Sequence, residues 1–174
     1  LLCQGWRKSQ IKTFVSLWEA FVHAHSAILN HIARSLTLQC GVGIDHTLKR
    51  LWRFLRNDRV DEDAFYRNVA RFVWTRVQHW PVVPIAIDWT FCEKHDPWQT
   101  LTASLVIRGR GIPILVWSFT KSDFQEYNSQ SKVEKAFIKK LKEIIPPTSQ
   151  TIVILADRGF ASADLFQVIS DQGF

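Results

Sequence analysis

Two carboxylates stand at the ends of apolar runs. "IAIDW" (85–89) carries Asp88, and "TIVILAD" (151–157) ends on Asp157, with Arg158 and Gly159 immediately after it. If the two runs are neighbouring parallel strands, their backbones lie about 4.8 Å apart. Ionised carboxylates about 5 Å apart repel by about 3 kcal/mol at an effective dielectric near 20. A proton, a basic side chain or a divalent cation must offset that repulsion. Oxygen donors suit magnesium or manganese, and a pair of such ions can clamp the attacking and leaving oxygens of a phosphodiester. Arg158 adjoins the second carboxylate and is placed to contact a phosphate. Gly159 allows a sharp turn or a close approach of backbone to substrate. The same residues admit a structural reading. An Asp at the end of a strand commonly forms a turn or caps a helix, and Asp157 with Arg158 can be a local ion pair.

The elements that would position these groups follow from periodicity. Residues 11–36 place Ile11, Phe14, Val15, Trp18, Phe21, Val22, His25, Ile28, Leu29, Ile32 and Leu36 at gaps of three and four, which predicts one long helix. Gly41 and Gly43 end it. Asp45 or Thr47 is the expected cap of a second helix, with Leu48, Leu51, Trp52 and Leu55 as its apolar stripe. Asp61 is the expected cap of a third, with Phe65, Val69, Phe72, Val73 and Val77 facing inward. After "HWPVVP" the period becomes that of strands. Leu101, Ala103, Leu105 and Ile107 alternate with Thr102, Ser104, Val106 and Arg108; "GRG" (109–111) turns the chain and "IPILVWSF" (112–119) returns. Residues 129–145 predict a helix with Val133, Ala136, Phe137, Leu141 and Ile144 on one face, stopped by Pro146 and Pro147. A strand through "TIVILAD" and a helix from near Ser162 complete the order.

The expected fold is therefore α/β: a helical region over 1–80, then three antiparallel strands, a crossover helix, a fourth strand parallel to the first, and a helix over 81–174. Laid beside the first strand, the fourth would bring Asp88 and Asp157 to the same end of the sheet.

Charge separates the same two regions. Residues 1–80 carry 12 Lys and Arg against 6 Asp and Glu, and residues 81–174 carry 10 against 10, which accounts for the 22 and 16 of the whole chain. The positive excess of the first region suits a polyanion, or a solvated basic face. Lys49, Arg50, Arg53 and Arg56 are the expected DNA contacts, meeting mostly phosphates. A helix-turn-helix at this point is a weak signal. Trp18, Trp52 and Trp117 read as packing residues. Trp89 and Trp98 flank the first aspartate, where they would wall the site, stack on a base, or pack in the core. His23 and His25, two apart, do not share a helical face, and Cys3, Cys40 and Cys92 fit neither a disulfide framework nor a zinc site, which suggests a reducing cytosol. No stretch reads as a membrane span.

"PIAIDWT", a hairpin and then "VILADRGF" resemble the catalytic core of bacterial insertion-sequence transposases of the DDE type, over roughly residues 84–174. "LKRLWRFLRND", within the helical region from Gly41 to Val77, resembles the DNA-binding segment that precedes that core. The resemblance implies a ribonuclease-H-like fold, here the N-terminal part of such a domain, and cleavage and strand transfer at insertion-sequence ends. It implies Asp88 and Asp157 as the first two metal ligands, with two magnesium or manganese ions in the complete site. It also implies double-stranded DNA as partner, at element ends and target, a homodimer assembled on that DNA, and a place in the bacterial cytoplasm with the nucleoid. The family's third acid is a Glu on a helix well beyond the second Asp. Glu93, Glu126 and Glu134 lie between the two aspartates and do not match it. The chain starts at Leu1, has no methionine and stops at Phe174, so it is expected to be a piece of a longer polypeptide or a truncated copy, inactive alone. The alternative is a non-catalytic DNA-binding remnant that competes for element ends. A ribonuclease-H-like repair nuclease fits the fold but does not require the basic half.

Overall fold

The computed structural model describes residues 2–91, 98–120, 123, 127 and 129–174, with backbone alone at 39, 40 and 91. Contacts divide the chain into two compact units, Cys3–Ala64 and Phe65–Phe174. The expected division at 80/81 thus falls earlier, within a helix. The reason is that Ala70, Val73 and Trp74 of that helix bury their side chains in the core of the sheet unit.

The first unit holds α1 (Lys8–Ala24), α2 (Leu29–Cys40) and α3 (Ile44–Leu55), each in contact with the other two. Where one long helix was expected there are two. His25 takes the left-handed conformation (φ 46°) and ends α1. Ser26 Oγ then accepts from the Ile28 N–H at 3.1 Å and shares a 3.0 Å hydrogen bond with His31 Nδ1. No glycine or proline marks this break, and the apolar residues keep helical phase across it, so periodicity reads straight through. Gly41 (φ 65°) ends α2 as expected. The cap of α3 is Gly43 and not Asp45 or Thr47. Thr47 is buried, its hydroxyl 3.5 Å from that of Thr37. The core of this unit is small: Ala20, Ile32, Ala33, Leu36 and Leu51, with Leu17, Ala24, Leu29, Ile44 and Leu48 against it.

The second unit begins within α4 (Glu62–Trp74) and contains β1 (Val82–Phe91), β2 (Gln99–Ile107), β3 (Arg110–Phe119), α5 (Gln130–Ile144), β4 (Thr151–Leu155) and α6 (Ala163–Asp171). Asp61 caps α4 as expected, its Oδ1 accepting from the Ala64 N–H at 2.8 Å. Of the residues expected inward, Val73 and Val77 are buried, but Phe72 is exposed beneath the Arg76 guanidinium. The buried arc runs through Ala70, Val73, Trp74 and Val77, and Phe72 lies off it. Gln150 ties the loop before β4 to the end of this segment: it accepts from Trp74 Nε1 at 2.8 Å and donates to the carbonyl of Val77 at 2.7 Å.

The strands form one mixed sheet in the order β3-β2-β1-β4, with β1 antiparallel to β2, β2 antiparallel to β3, and β1 parallel to β4. The α/β architecture and the strand directions match the sequence expectation. The hairpin turn is Arg108–Gly109, both at positive φ (50° and 75°), a two-residue loop whose twist matches that of the flanking strands. Ile114 is an extra residue opposite the step from Ala103 to Ser104, a bulge that puts Ile114 and Leu115 both in the core. The helix α5 spans the crossover and buries Val133, Phe137, Leu141 and Ile144, together with Val83, Ile85 and Ile87 of β1. Among the described residues no helix is long and apolar enough to cross a membrane.

Candidate functional site: paired carboxylates and a basic helix

The parallel register aligns β1 with β4 so that Val82 faces Thr151 and Ala86 faces Leu155. Two residues further along each chain come Asp88 and Asp157. They therefore occupy matching positions at one end of adjacent strands. In a parallel pair, residues in register project to the same side. Val83, Ile85, Ile87 and Ile152 fill the core face, so Asp88, of opposite parity within β1, belongs to the other face. Asp157 follows the end of β4. Both aspartates are exposed at this end of the sheet, within reach of water and solutes.

Asp157 also has the structural role that its type allows. It is the N-terminal cap of a short 3-10 turn (Arg158–Phe160), and its Oδ1 accepts from the Gly159 N–H at 2.9 Å. A Cβ at Gly159 would lie 3.0 Å from that same oxygen. Glycine is needed here for closeness to the carboxylate, not for an unusual φ. The cap occupies one lone pair of Oδ1, which leaves Oδ2 and further lone pairs for another partner. Arg158 is exposed in the same turn. No hydrogen bond or ion pair joins it to Asp157, so the local-pair alternative does not hold.

Trp89 does not wall this site. It lies on the core face, half-buried, and donates from Nε1 to Glu134 Oε1 at 3.0 Å. Glu134 is buried on α5 and also accepts from Gln130 Nε2 at 3.0 Å. It faces away from Asp88, which agrees with its exclusion as a third acid. Sequence reasoning missed this buried carboxylate as a core residue; an i, i+4 pair with Gln130 was the available sign. Glu93, Glu126 and Cys92 lie outside the described residues, as does the side chain of Cys40. Among the described residues no group of three or more His, Cys, Asp or Glu could hold a metal ion. A depression of about 440 Å³ along β4 is lined by Asp157, Thr151 and otherwise apolar residues, and Asp88 does not line it.

The basic residues sit on α3. Lys49, Arg53 and Arg56 line one shallow depression together with Trp52. The Arg56 guanidinium lies over the Trp52 ring at 4.8 Å, and Arg53 Nε donates to the Lys49 carbonyl at 3.2 Å. Arg50 is set apart from them: half-buried, it has Nε and Nη2 out of reach of solvent without an acceptor. Trp52 was read as packing, yet 48% of it is exposed, and Trp18 is 53% exposed. Both belong to helices that carry apolar residues on two sides, and a 3.6-residue period cannot tell which side is inward. Trp117 does pack, edge-on to Phe137 at 5.5 Å.

No family model matches the chain, and no curated protein or solved structure is significantly similar to it.

Proposed function

We propose that this chain carries the first two acids of a DDE-type DNA transposase, on the opening part of a ribonuclease-H-like domain, and a separate helical unit that contacts DNA. The observation that supports the reading is the parallel register of β1 and β4, whose last partners, Ala86 and Leu155, each precede an exposed aspartate, Asp88 and Asp157, by two residues. A meander of three strands, a crossover helix and a fourth strand parallel to the first agrees with such a domain.

The donor set fits a hard divalent cation. Two exposed carboxylates offer oxygen ligands, and neither is locked in an ion pair. Asp88 and Asp157 would hold magnesium or manganese, which when bound polarises a phosphodiester and activates water against it. The contribution of the chain itself is positional. Adjacent parallel strands would hold the two carboxylates at one end of the sheet, and the Gly159 N–H holds the orientation of one of them. Arg158 supplies a fixed positive charge beside Asp157 for a phosphate oxygen. On α3, Lys49, Arg53 and Arg56 supply phosphate contacts that give salt-sensitive, largely sequence-independent affinity.

The test is metal-dependent nicking of insertion-sequence end DNA by the complete gene product. Asp88→Asn and Asp157→Asn should each lower cleavage by more than about a hundredfold, the loss of several kcal/mol of charge stabilisation. DNA affinity should stay nearly unchanged. Full cleavage by either variant removes the catalytic assignment. A second reading, a DNA-binding protein without chemistry, rests on Lys49, Arg53 and Arg56 together on α3, which need no acid to meet phosphates. Salt-sensitive binding of end DNA with no nicking under any divalent metal supports it.

A further inference from the structure

The helix α1 is apolar on two sides; one is buried within the unit and the other is largely exposed. On the exposed side Trp18 meets Phe14 and Phe21 edge-on, and Phe14 also packs against Trp6 and Phe54. Ala20 is buried and Leu17 and Ala24 pack beside it. Yet Val15 is 46%, Trp18 53% and Val22 58% exposed. With the half-buried Ile11 they follow gaps of four, three and four, the spacing of a coiled-coil seam. We propose that this seam pairs with the α1 of a second copy of the chain, in the antiparallel sense.

Charge and size select that partner and that direction. On the antiparallel seam Ile11 meets Val22 of the second copy, and Val15 meets Trp18 of the second copy, each contact occurring twice by symmetry. Every layer then sets a large side chain against a smaller one, as interdigitated packing requires. Along one flank lie Lys12 and Glu19, both exposed. Antiparallel pairing brings each Lys12 to Glu19 of the second copy, again twice. Along the other flank it brings Phe14 to Phe21 of the second copy. The parallel arrangement fares worse on each count. It would stack Trp18 on Trp18, set Arg7 beside Lys12, and leave Glu19 against Phe14. The ends of the seam are Lys8 and His25, both exposed and polar, which limits the contact to the length of α1. The pairing needs neither metal nor DNA, so it stands or falls apart from the catalytic reading.

Sedimentation equilibrium of the metal-free, DNA-free protein tests it. The wild type should form a dimer that dissociates on dilution. Val15→Glu and Val22→Glu should each weaken it by more than about tenfold, since a charge would be buried in an apolar layer. Lys12→Glu should weaken the dimer by facing Glu19, and Lys12→Glu with Glu19→Lys should restore it. These positions are exposed in the single chain, and unchanged helical circular dichroism will show that each variant is folded. A wild type that stays monomeric at the highest soluble concentration overturns the pairing. So does a dimer indifferent to both Val→Glu changes, or a charge swap that fails to restore association.

Discussion

The helical unit and the sheet unit bury their apolar residues on different scales. Among the described residues, the sheet unit has a core cluster of 22 buried side chains, including Phe137, Leu101, Leu105 and Leu141, while the helical unit has five, two of them alanines. The helical unit is not short of apolar residues; Trp18, Phe21, Val22, Trp52 and Leu55 are all more than a third exposed. It leaves them partly outward instead, Trp52 beside Lys49, Arg53 and Arg56. One unit buries its large side chains in the core of a sheet. The other offers them at its surface, where a contact with another molecule can use them.

Core truncations should separate the two most sharply. Phe137→Ala removes a fully buried ring that touches Trp117 edge-on, and should destabilise the sheet unit by about 3–5 kcal/mol in urea titration. Leu51→Ala in the small helical core should cost about 2–3 kcal/mol, the lower part of the range for such changes, because three thin helices can close partly around the gap. A cost for Leu51→Ala equal to that of Phe137→Ala would contradict the difference in scale. Next comes Glu134→Ala, which leaves Trp89 Nε1 buried without this acceptor and should cost about 1–3 kcal/mol in the same assay. Asp61→Ala removes the cap of α4 and should cost about 1 kcal/mol. The smallest effect belongs to the outward face: Trp52→Ala should change stability by less than about 0.5 kcal/mol, as surface substitutions do. The same change should weaken DNA retention on a heparin or oligonucleotide column, because it removes the ring on which Arg56 rests. A large stability loss with unaltered retention would return Trp52 to the core.

What the sequence made legible was the sheet. Alternation in "LTASLVIR" and the glycine at the hairpin each reflect a local rule that tertiary packing did not override, so the strand directions could be read in advance. By contrast "TIVIL", apolar on both faces as a central strand would be, lies at the edge of the sheet with Val153 and Leu155 partly exposed. The helical region was less legible for physical reasons. The break at His25 depends on a left-handed residue that is neither Gly nor Asn, and on side-chain bonds through Ser26 that period does not encode. The cap at Gly43 displaced Asp45 and Thr47 because Thr47 is needed in the core. The outward tryptophans could not be told from inward ones, since both sides of α1 and α3 are apolar. At the site, Asp157 is a cap, the role that sequence reading had set against metal binding. The cap leaves carboxylate lone pairs free, so the two roles are compatible.

The two margins of the sheet differ in their openness to further growth. On β3 the outermost strand contains Pro113, which has no N–H to offer, next to the bulge at Ile114 that throws the ladder out of step. A newcomer strand would find that border interrupted. On the opposite border, Thr151–Leu155 is regular, free of proline, and displays Val153 and Leu155 in part to solvent. Any enlargement of the sheet, whether by more of the same polypeptide or by another molecule, would therefore extend outward from β4, alongside the strand that delivers Asp157.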